Sequence, residues 1–475
     1  MNSSAVSPGR AGLLLLLTGQ MLPLIDTSIT NVALDAITHS LNATATELEL
    51  IVALYGVAFA VCLALGSKLG DNFGRRRLFM WGVASFGLAS LLCGMAGNIE
   101  QLLAARFVQG AGAALIVPQI LATLHVTLKG TAHAKAISLF GGIGGIAFIV
   151  GQMGGGWLVS ADIAGLGWRN AFFINVPICL LVLALSRRYV PETRRETPSR
   201  IDWQGTLYLA LILCCLLFPM ALGPELHWPL WLQLMLVAVL PLLFAMRQSA
   251  LRQQQRGDHP LLPPRLLQLT SIRFGMAIAL LFFSAWSGFM FCMALTMQEG
   301  LGMAPWQSGN SFIALGVAYF ISALYAPRLI ARYSMGRILL TGLAVQIAGL
   351  LLLCATFSRF GVATSALTLV PATALIGYGQ ALIVNSFYRI GMRDISASDA
   401  GAGSAILSTL QQATLGLGPA ILGSLFLALA RRGGGNYPQA LIDILLVEVA
   451  MMLLLGAIAL WLRHHLNRQP ATVAS

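Results

Sequence analysis

The chain has 475 residues, of which 57% are hydrophobic and only 10% are charged. Because a soluble domain carries about 25% charged residues, so low a content cannot cover a water-facing surface, and the composition excludes a soluble globular protein. The net charge of +12 comes from basic residues in short runs between apolar stretches, a distribution typical of membrane topology rather than of nucleic-acid binding.

Fourteen apolar stretches, each bounded by charged or turn residues, predict membrane-spanning helices, since a span needs about 20 apolar residues. In chain order they lie at about 11–34, 48–69, 78–97, 101–127, 136–160, 171–187, 204–222, 229–246, 273–297, 308–330, 338–357, 364–388, 400–430 and 441–462. An even number of spans places both termini on the same side of the membrane. The predicted fold class is therefore an all-α polytopic membrane protein with 14 transmembrane helices.

The charge of the loops predicts which side holds the termini. Alternate loops are basic, and the clearest of these include residues 75–77, 187–200 and 328–337. The opposite loops hold mostly acidic residues, namely Asp35, Glu47, Glu49, Glu100, Asp162, Glu225 and Glu299. The positive-inside rule then places both termini in the cytoplasm, and the protein is expected in a bacterial cytoplasmic (inner) membrane.

Two longer polar stretches, at about 188–203 and 247–272, divide the chain. They enclose two spans that lack the glycines and polar residues found in the other spans. This pattern predicts an N-terminal six-helix bundle at 1–187, a linker with two extra transmembrane helices at 188–272, and a C-terminal six-helix bundle at 273–475.

The loop after the second span carries the most specific motif. It reads Gly66-Ser-Lys-Leu-Gly-Asp71-Asn-Phe-Gly74-Arg75-Arg76-Arg77. This stretch resembles the signature loop of the major facilitator superfamily, in which a Gly is followed by an Asp and then by Gly-Arg-Arg. Gly74 permits a tight turn, and Asp71 is expected at the start of the third span, paired with a nearby Arg across a cytoplasmic helix interface. Such a pair would form a conformational latch that includes Gly66, Arg75 and Arg76; the alternative is that the arginines only anchor the topology.

Further stretches resemble the fourteen-span drug:proton antiporter family of that superfamily. They are Leu24-Ile-Asp26-Thr27-Ser28-Ile-Thr30-Asn31, Arg106-Phe-Val-Gln109-Gly110, Phe172-Phe-Ile-Asn175-Val-Pro177 and a glycine-rich fifth span that ends in Trp157-Leu158. The resemblance implies a major facilitator fold of two six-helix bundles plus two inserted central helices. It also implies proton-coupled export.

Glycines of the fifth span have the small-xxx-small spacing that lets helices pack closely, and the span resembles an exporter motif. The predicted helix-packing residues are Gly145, Gly151, Gly155 and Gly156, with Gly418 and Pro419 at the matching place in the second half. Gln152 stands where the motif usually has a Pro. This departure leaves the direction and the coupling of transport open.

Ionisable residues inside a membrane span are costly and are functional candidates by default. Asp26 is the clearest, and it is predicted to carry the coupling proton or to contact the cargo; the alternative is a structural role in helix pairing. Arg106 is predicted to tune Asp26 or to hold backbone carbonyls of neighbouring helices, with Gln109 in the same network. The weaker candidates are Asn31, Asn385, Gln411, Gln412 and Glu448.

These features predict a secondary transporter, not an enzyme, that works by alternating access. The expected cargo is small lipophilic or monocationic compounds (multidrug efflux), exchanged for protons, and the expected partners are these compounds, protons and membrane lipids, without nucleic acid. No cofactor and no metal site are predicted, and the protein is expected to be monomeric. The alternatives are a dedicated metabolite or siderophore exporter of the same fold and a non-transporting membrane receptor or scaffold.

Overall fold

The computed structural model describes residues 8–194, 200–258, 260–395 and 400–466, and every regular element in these ranges is helical. Within these ranges, thirteen helices are long and apolar enough to cross a membrane. They are α1 (Gly9–Leu41), α2 (Ala45–Phe73), α3 (Arg75–Met95), α4 (Ile99–Thr127), α6 (Gly167–Tyr189), α7 (Trp203–Leu226), α8 (Leu230–Gln255), α9 (Thr270–Gly300), α10 (Pro305–Ile330), α11 (Met335–Ala363), α12 (Ala366–Gly391), α13 (Ala402–Arg432) and α14 (Tyr437–Trp461). The protein is therefore a multi-pass membrane protein.

The predicted fifth span is also helical. This element, α5, consists of Gly130–Ile149, a π-helical turn at Val150–Gly154 and a last segment at Gly155–Ala161. Among the described residues, α5 adds a further helix to the thirteen named above. With α5, the helices follow the order of the fourteen predicted spans, and the predicted fold class is confirmed. The domain limits at 187 and 272 stay a prediction.

The structure places the start of α2 earlier than the predicted start of the second span. Thr44 and Glu47 form a capping box in which the Thr44 amide donates to Glu47 Oε2 at 2.7 Å and the Glu47 amide donates to Thr44 Oγ1 at 3.3 Å. An acidic residue in the first turn stabilises a helix N-terminus, so the helix begins before the charged residues rather than after them. Glu49, expected in an external loop, is therefore on the helix and only 2% exposed.

The helices group into two halves that meet along α2 and α5. In the first half, α4 packs against α2 and α3, and α1 packs against α5 and α6; in the second, α12 packs against α10 and α11, and α14 packs against α11. Between the halves, α2 packs against α13 and α5 against α10. The inserted helices α7 and α8 pack against each other, and α7 also packs against α2.

Two described hydrogen bonds between the halves lie at one end of the molecule, here called the Asp35 end because α1 carries Asp35 there. Gln298 Nε2 donates to the Val32 carbonyl at 3.0 Å, and the Trp306 amide donates to Ser160 Oγ at 3.1 Å. The opposite end carries the loop between α2 and α3 and is called the Arg75 end. The halves are therefore joined at the Asp35 end in this structure.

Candidate functional site: a buried polar network beside a central cavity

A buried ion pair lies at the centre of the first half. Arg106 NH1 on α4 contacts Asp26 Oδ2 on α1 at 2.5 Å, and Gln109 Nε2 donates to Asp26 Oδ1 at 2.7 Å. The side chains of Asp26 and Arg106 are 0% and 1% exposed. The three residues predicted to form one network are thus in direct contact.

Two further residues, which the sequence analysis did not select as site residues, complete the surroundings of the carboxylate. Asn175 Nδ2 on α6 donates to Asp26 Oδ1 at 3.1 Å, and Ser90 Oγ on α3 accepts a hydrogen bond from Gln109 Nε2 at 2.9 Å. Both residues are fully buried. Asn175 lies in the Phe-Phe-Ile-Asn-Val-Pro stretch, and this motif could have identified it as a site residue. A single serine in an apolar span, such as Ser90, has no sequence feature that would identify it.

Arg106 also contacts α2. Its Nε donates to the Ile51 carbonyl at 3.0 Å, and its Cζ lies 4.3 Å from the centre of the Tyr55 ring. An Arg over an aromatic face gains a cation–π interaction. Arg106 therefore contacts both Asp26 and a backbone carbonyl of a neighbouring helix, the two partners given as alternatives for it. The network joins α1, α2, α3, α4 and α6.

A cavity of about 210 Å³ lies between the two halves. Residues of α1, α2, α9, α10 and α13 line it, and its second-half wall is aromatic, with Phe283, Trp286 and Tyr319. The Trp286 ring centre lies 6.1 Å from that of Phe283 and 5.9 Å from that of Tyr319. Clustered rings give a broad apolar surface for a ligand.

Asp26 lies behind the wall of this cavity rather than on it. Its α1 neighbours Leu24 and Thr27 line the cavity, whereas the Asp26 carboxylate faces Arg106 and Gln109 inside the first half. Successive residues of a helix point about 100° apart, so α1 presents different residues to the two compartments. This placement favours a role in coupling over direct contact with cargo.

Three of the weaker candidates line the cavity: Asn31, Gln411 and Gln412. Asn31 Nδ2 donates to the Thr27 carbonyl at 3.0 Å, and Gln411 Oε1 accepts a hydrogen bond from Tyr388 at 2.6 Å. Among the described residues, Asn31 Oδ1 is buried without a hydrogen-bond partner. A ligand group that donates a hydrogen bond would satisfy it.

The other two weaker candidates lie elsewhere. Asn385 Nδ2 donates to the Ala381 carbonyl of its own helix at 2.8 Å. Glu448 on α14 is 1% exposed, and within the described ranges its Oε1 has no hydrogen-bond partner. Neither residue is part of the cavity wall.

The structure of the signature loop differs from the predicted latch. Asp71 lies in the last turn of α2, not at the start of the third span, and its Oδ1 contacts Arg75 NH2 at 2.6 Å. The two residues are four apart, so the pair is local to the turn. Gly74 has φ +109°, and a Cβ there would lie 2.7 Å from Glu192 Oε1. A side chain at position 74 is therefore disfavoured by the backbone conformation, and it would also displace the Glu192 carboxylate.

The arginines of this loop hold the segment after α6. The Arg75 amide donates to the Thr193 carbonyl at 2.8 Å, the Arg76 amide donates to Glu192 Oε1 at 3.0 Å, and Arg76 NH1 donates to the Val190 carbonyl at 3.3 Å. Gly66 has a packing role instead, because a Cβ there would lie 2.5 Å from the Ala114 carbonyl oxygen on α4. These contacts fix the Arg75 end of the first half.

The predicted packing glycines are at close helix contacts. A Cβ would lie 2.6 Å from Ser28 Cβ at Gly151, 2.3 Å from Ile29 Cγ1 at Gly155 and 2.5 Å from the Pro305 carbonyl oxygen at Gly156. The surroundings of Gly145 lie outside the described part of the structure. In the second half, a Cβ at Gly418 would lie 2.4 Å from the Ser284 carbonyl oxygen, and Pro419 begins a π-helical turn. Gly156 therefore packs across the two halves, whereas Gly151 and Gly155 pack against α1.

Glu49 is a further buried acid, which the sequence analysis placed in a loop. Its Oε2 accepts a hydrogen bond from Ser424 Oγ of α13 at 2.6 Å, and the same hydroxyl lies 2.9 Å from the Met220 carbonyl of α7. One hydroxyl thus brings together the first half, the second half and the inserted helix pair. The contact lies toward the Asp35 end.

Comparison with known proteins agrees with this architecture. The family model described as Major Facilitator Superfamily matches residues 16–419. The crystal structure of a POT family transporter in complex with 5-aminolevulinic acid has a TM-score of 0.67 at 12% sequence identity and covers 96% of this chain and 98% of that chain. The chain belongs to the Major Facilitator Superfamily, and the resemblance drawn from its motifs is confirmed.

Similar curated proteins carry the names of exporters and resistance proteins. A probable actinorhodin transporter from Streptomyces coelicolor is 32% identical over 419 residues, which are 88% of this chain and 72% of that protein. The multidrug resistance protein Stp from Mycobacterium tuberculosis is 31% identical over 414 residues, which are 86% of this chain and 74% of that protein.

Proposed function

We propose that this protein is a proton-coupled exporter of small lipophilic or monocationic compounds that works by alternating access. The observation that carries the proposal is a central cavity between two halves, with a buried carboxylate directly behind its wall. The names of its relatives, a probable actinorhodin transporter and a multidrug resistance protein, support export of drug-like molecules.

The lining of the cavity supports this class of cargo. Trp286, Phe283 and Tyr319 offer aromatic faces, and Gln411 and Gln412 add amides that can orient a polar group. The described lining residues include no acidic or basic side chain. Neutral lipophiles and monocations held against aromatic faces fit such a site, whereas a dication would find no carboxylate in it.

Coupling is proposed to depend on the protonation of Asp26. In this structure the carboxylate pairs with Arg106 and accepts hydrogen bonds from Gln109 and Asn175. A bound proton would neutralise the carboxylate and weaken its hold on α4 and α6, which frees α1 to move against them. Since α1 also lines the cavity, cargo and proton act on the same helix. One charge moved through the membrane yields about 2.3 kcal/mol per 100 mV.

The proposal includes the orientation of the protein in the membrane. With the basic loops in the cytoplasm, the Asp35 end is outside and the Arg75 end inside, so this structure is closed to the outside. Both termini are then cytoplasmic. We propose that the protein lies in a bacterial cytoplasmic membrane as a monomer and needs only the proton gradient, without a cofactor.

The proposal is tested by ethidium transport into everted membrane vesicles under an imposed pH gradient. Wild type, Asp26→Asn and a matched control, Asp443→Asn, are compared; Asp443 contacts Gln439 of its own helix at 3.2 Å. The expected result is gradient-dependent uptake by wild type and control, and loss of that uptake in Asp26→Asn. If none of a varied panel of dyes moves, the multidrug proposal is wrong and a dedicated carrier of one metabolite takes its place.

A further inference from the structure

A cluster of three side chains joins the halves at the Asp35 end. His39 Nε2 lies 3.4 Å from Asp35 Oδ1 and 3.6 Å from Glu299 Oε1, and one ligand atom from each residue lies within 4.8 Å of the other two. Asp35 and His39 are on α1, four residues apart, and Glu299 is at the end of α9. Because Glu299 is about 260 positions from the two α1 residues in sequence, no local pattern could reveal the cluster.

The donor set suits a divalent transition metal. Imidazole and carboxylate groups are ordinary ligands of Zn²⁺, with bonds of about 2.0–2.2 Å. Four ligands at this distance around a tetrahedral ion are about 3.3–3.5 Å apart. The separations of 3.4 and 3.6 Å from His39 Nε2 are close to this spacing. An imidazole favours zinc over Mg²⁺ and Ca²⁺, which prefer oxygen ligands.

The contacts beside the cluster join α9 to α1 and α10 in this structure. Gln298, next to Glu299, donates from Nε2 to the Val32 carbonyl of α1 at 3.0 Å and lies 3.2 Å from Ser308 Oγ. The bond to Val32 holds the end of α9 against α1, and the contact with Ser308 joins it to α10. In a state open at the Asp35 end, α9 would move away from α1, and Glu299 would leave the two α1 ligands.

We propose that Asp35, His39 and Glu299 form a Zn²⁺-binding site that is complete only while the Asp35 end is closed. Three protein ligands leave a fourth position for water. A metal that binds one of two states shifts the population toward that state. Zinc bound here would therefore hold the halves together and inhibit the transport cycle.

Binding is tested by calorimetric titration of the purified full-length protein with ZnCl₂. A second zinc candidate must first be removed, because His125 and His133 lie with ring nitrogens 2.5 Å apart. In an H125A/H133A background, His39→Ala and Glu299→Gln should each weaken Zn²⁺ binding by about tenfold or more, since even outer-shell partners of a metal contribute about 10–100-fold. Glu100→Gln, an exposed acid on the first turn of α4, should bind as the background does.

Equal zinc affinity in the background, His39→Ala and Glu299→Gln would overturn the proposal, as would the lack of any zinc binding to the background. MgCl₂ titrated in place of ZnCl₂ should give no binding that depends on His39. This test needs no transport and is independent of the proposed function.

A second measurement addresses inhibition and rests on the proposed export. Zinc on the outer side should inhibit dye efflux from cells that express the background protein, and a chelator should restore it. Each variant is compared with its own zinc-free rate, and His39→Ala should be insensitive. If zinc binds at His39 but does not inhibit efflux, the proposal that zinc stabilises the closed state is contradicted. Lack of efflux without zinc would instead count against the proposed function.

Discussion

The Asp26–Arg106 pair should contribute strongly to the free energy of unfolding. Loss of Asp26 should cost more of this free energy than loss of Arg106. Both side chains are at most 1% exposed, and removal of one partner from a buried pair costs about 3–5 kcal/mol. Asp26→Leu leaves an Arg that cannot lose its proton, so the full cost is expected. Arg106→Leu leaves a carboxyl group that can be neutralised by a proton. Its cost should be smaller, although the bond to the Ile51 carbonyl, worth about 1 kcal/mol, is also lost.

The free energy of unfolding is measured by titration of the purified protein from mild detergent into dodecyl sulfate, followed by tryptophan fluorescence. The double variant Asp26→Leu/Arg106→Leu should be more stable than Asp26→Leu alone, because no unpaired charge remains. Arg359→Leu, at an exposed position, is the matched control and should change little. The reasoning is refuted if Arg106→Leu costs more than Asp26→Leu, or if the two single changes add in the double variant.

Two further predictions concern the contact between α2 and α13. A Cβ on Gly56 would lie 2.4 Å from the Cα of Gly416, so Gly56→Val should abolish dye efflux while the protein is expressed at the normal level. The control is Gly336→Val, which should keep efflux because nothing lies within 4 Å of a Cβ at that position. Normal efflux by Gly56→Val would contradict the prediction. Ser424→Ala removes the hydroxyl that donates to buried Glu49 at 2.6 Å and should cost about 1–3 kcal/mol in the same unfolding titration. A change below about 0.5 kcal/mol, typical of surface positions, would show that this hydrogen bond does not stabilise the fold.

The sequence predicted the fold and the centre of the network for identifiable physical reasons. Charge cannot enter the hydrocarbon region cheaply, so apolar stretches and loop charges report the spans directly. For the same reason Asp26 and Arg106, as rare charges inside spans of the first half, are site candidates, with Asp26 and backbone carbonyls as the alternative partners of Arg106. Gln109 lies one turn from Arg106 on the same helix, a spacing that lets the two side chains meet.

What the sequence could not predict depends on contacts between distant helices. Ser90 contacts the network only because α3 packs against α4, and Asn175 only because α6 packs against α1. Glu49 was assigned to a loop because charge was taken as the boundary of a span, whereas the capping box at Thr44 starts the helix earlier. The motif loop predicted an acid–arginine pair, but not that the pair would be local to the turn.

The central claim is that a proton carried by Asp26 is exchanged for cargo. The most direct test reconstitutes the purified protein in liposomes that contain a pH-sensitive dye and records the internal pH when cargo is added outside. The account predicts that ethidium added to wild-type liposomes drives proton movement in the opposite direction, and that Asp26→Asn liposomes show no such movement although the protein is folded. Equal proton movement in wild type and Asp26→Asn would contradict the account.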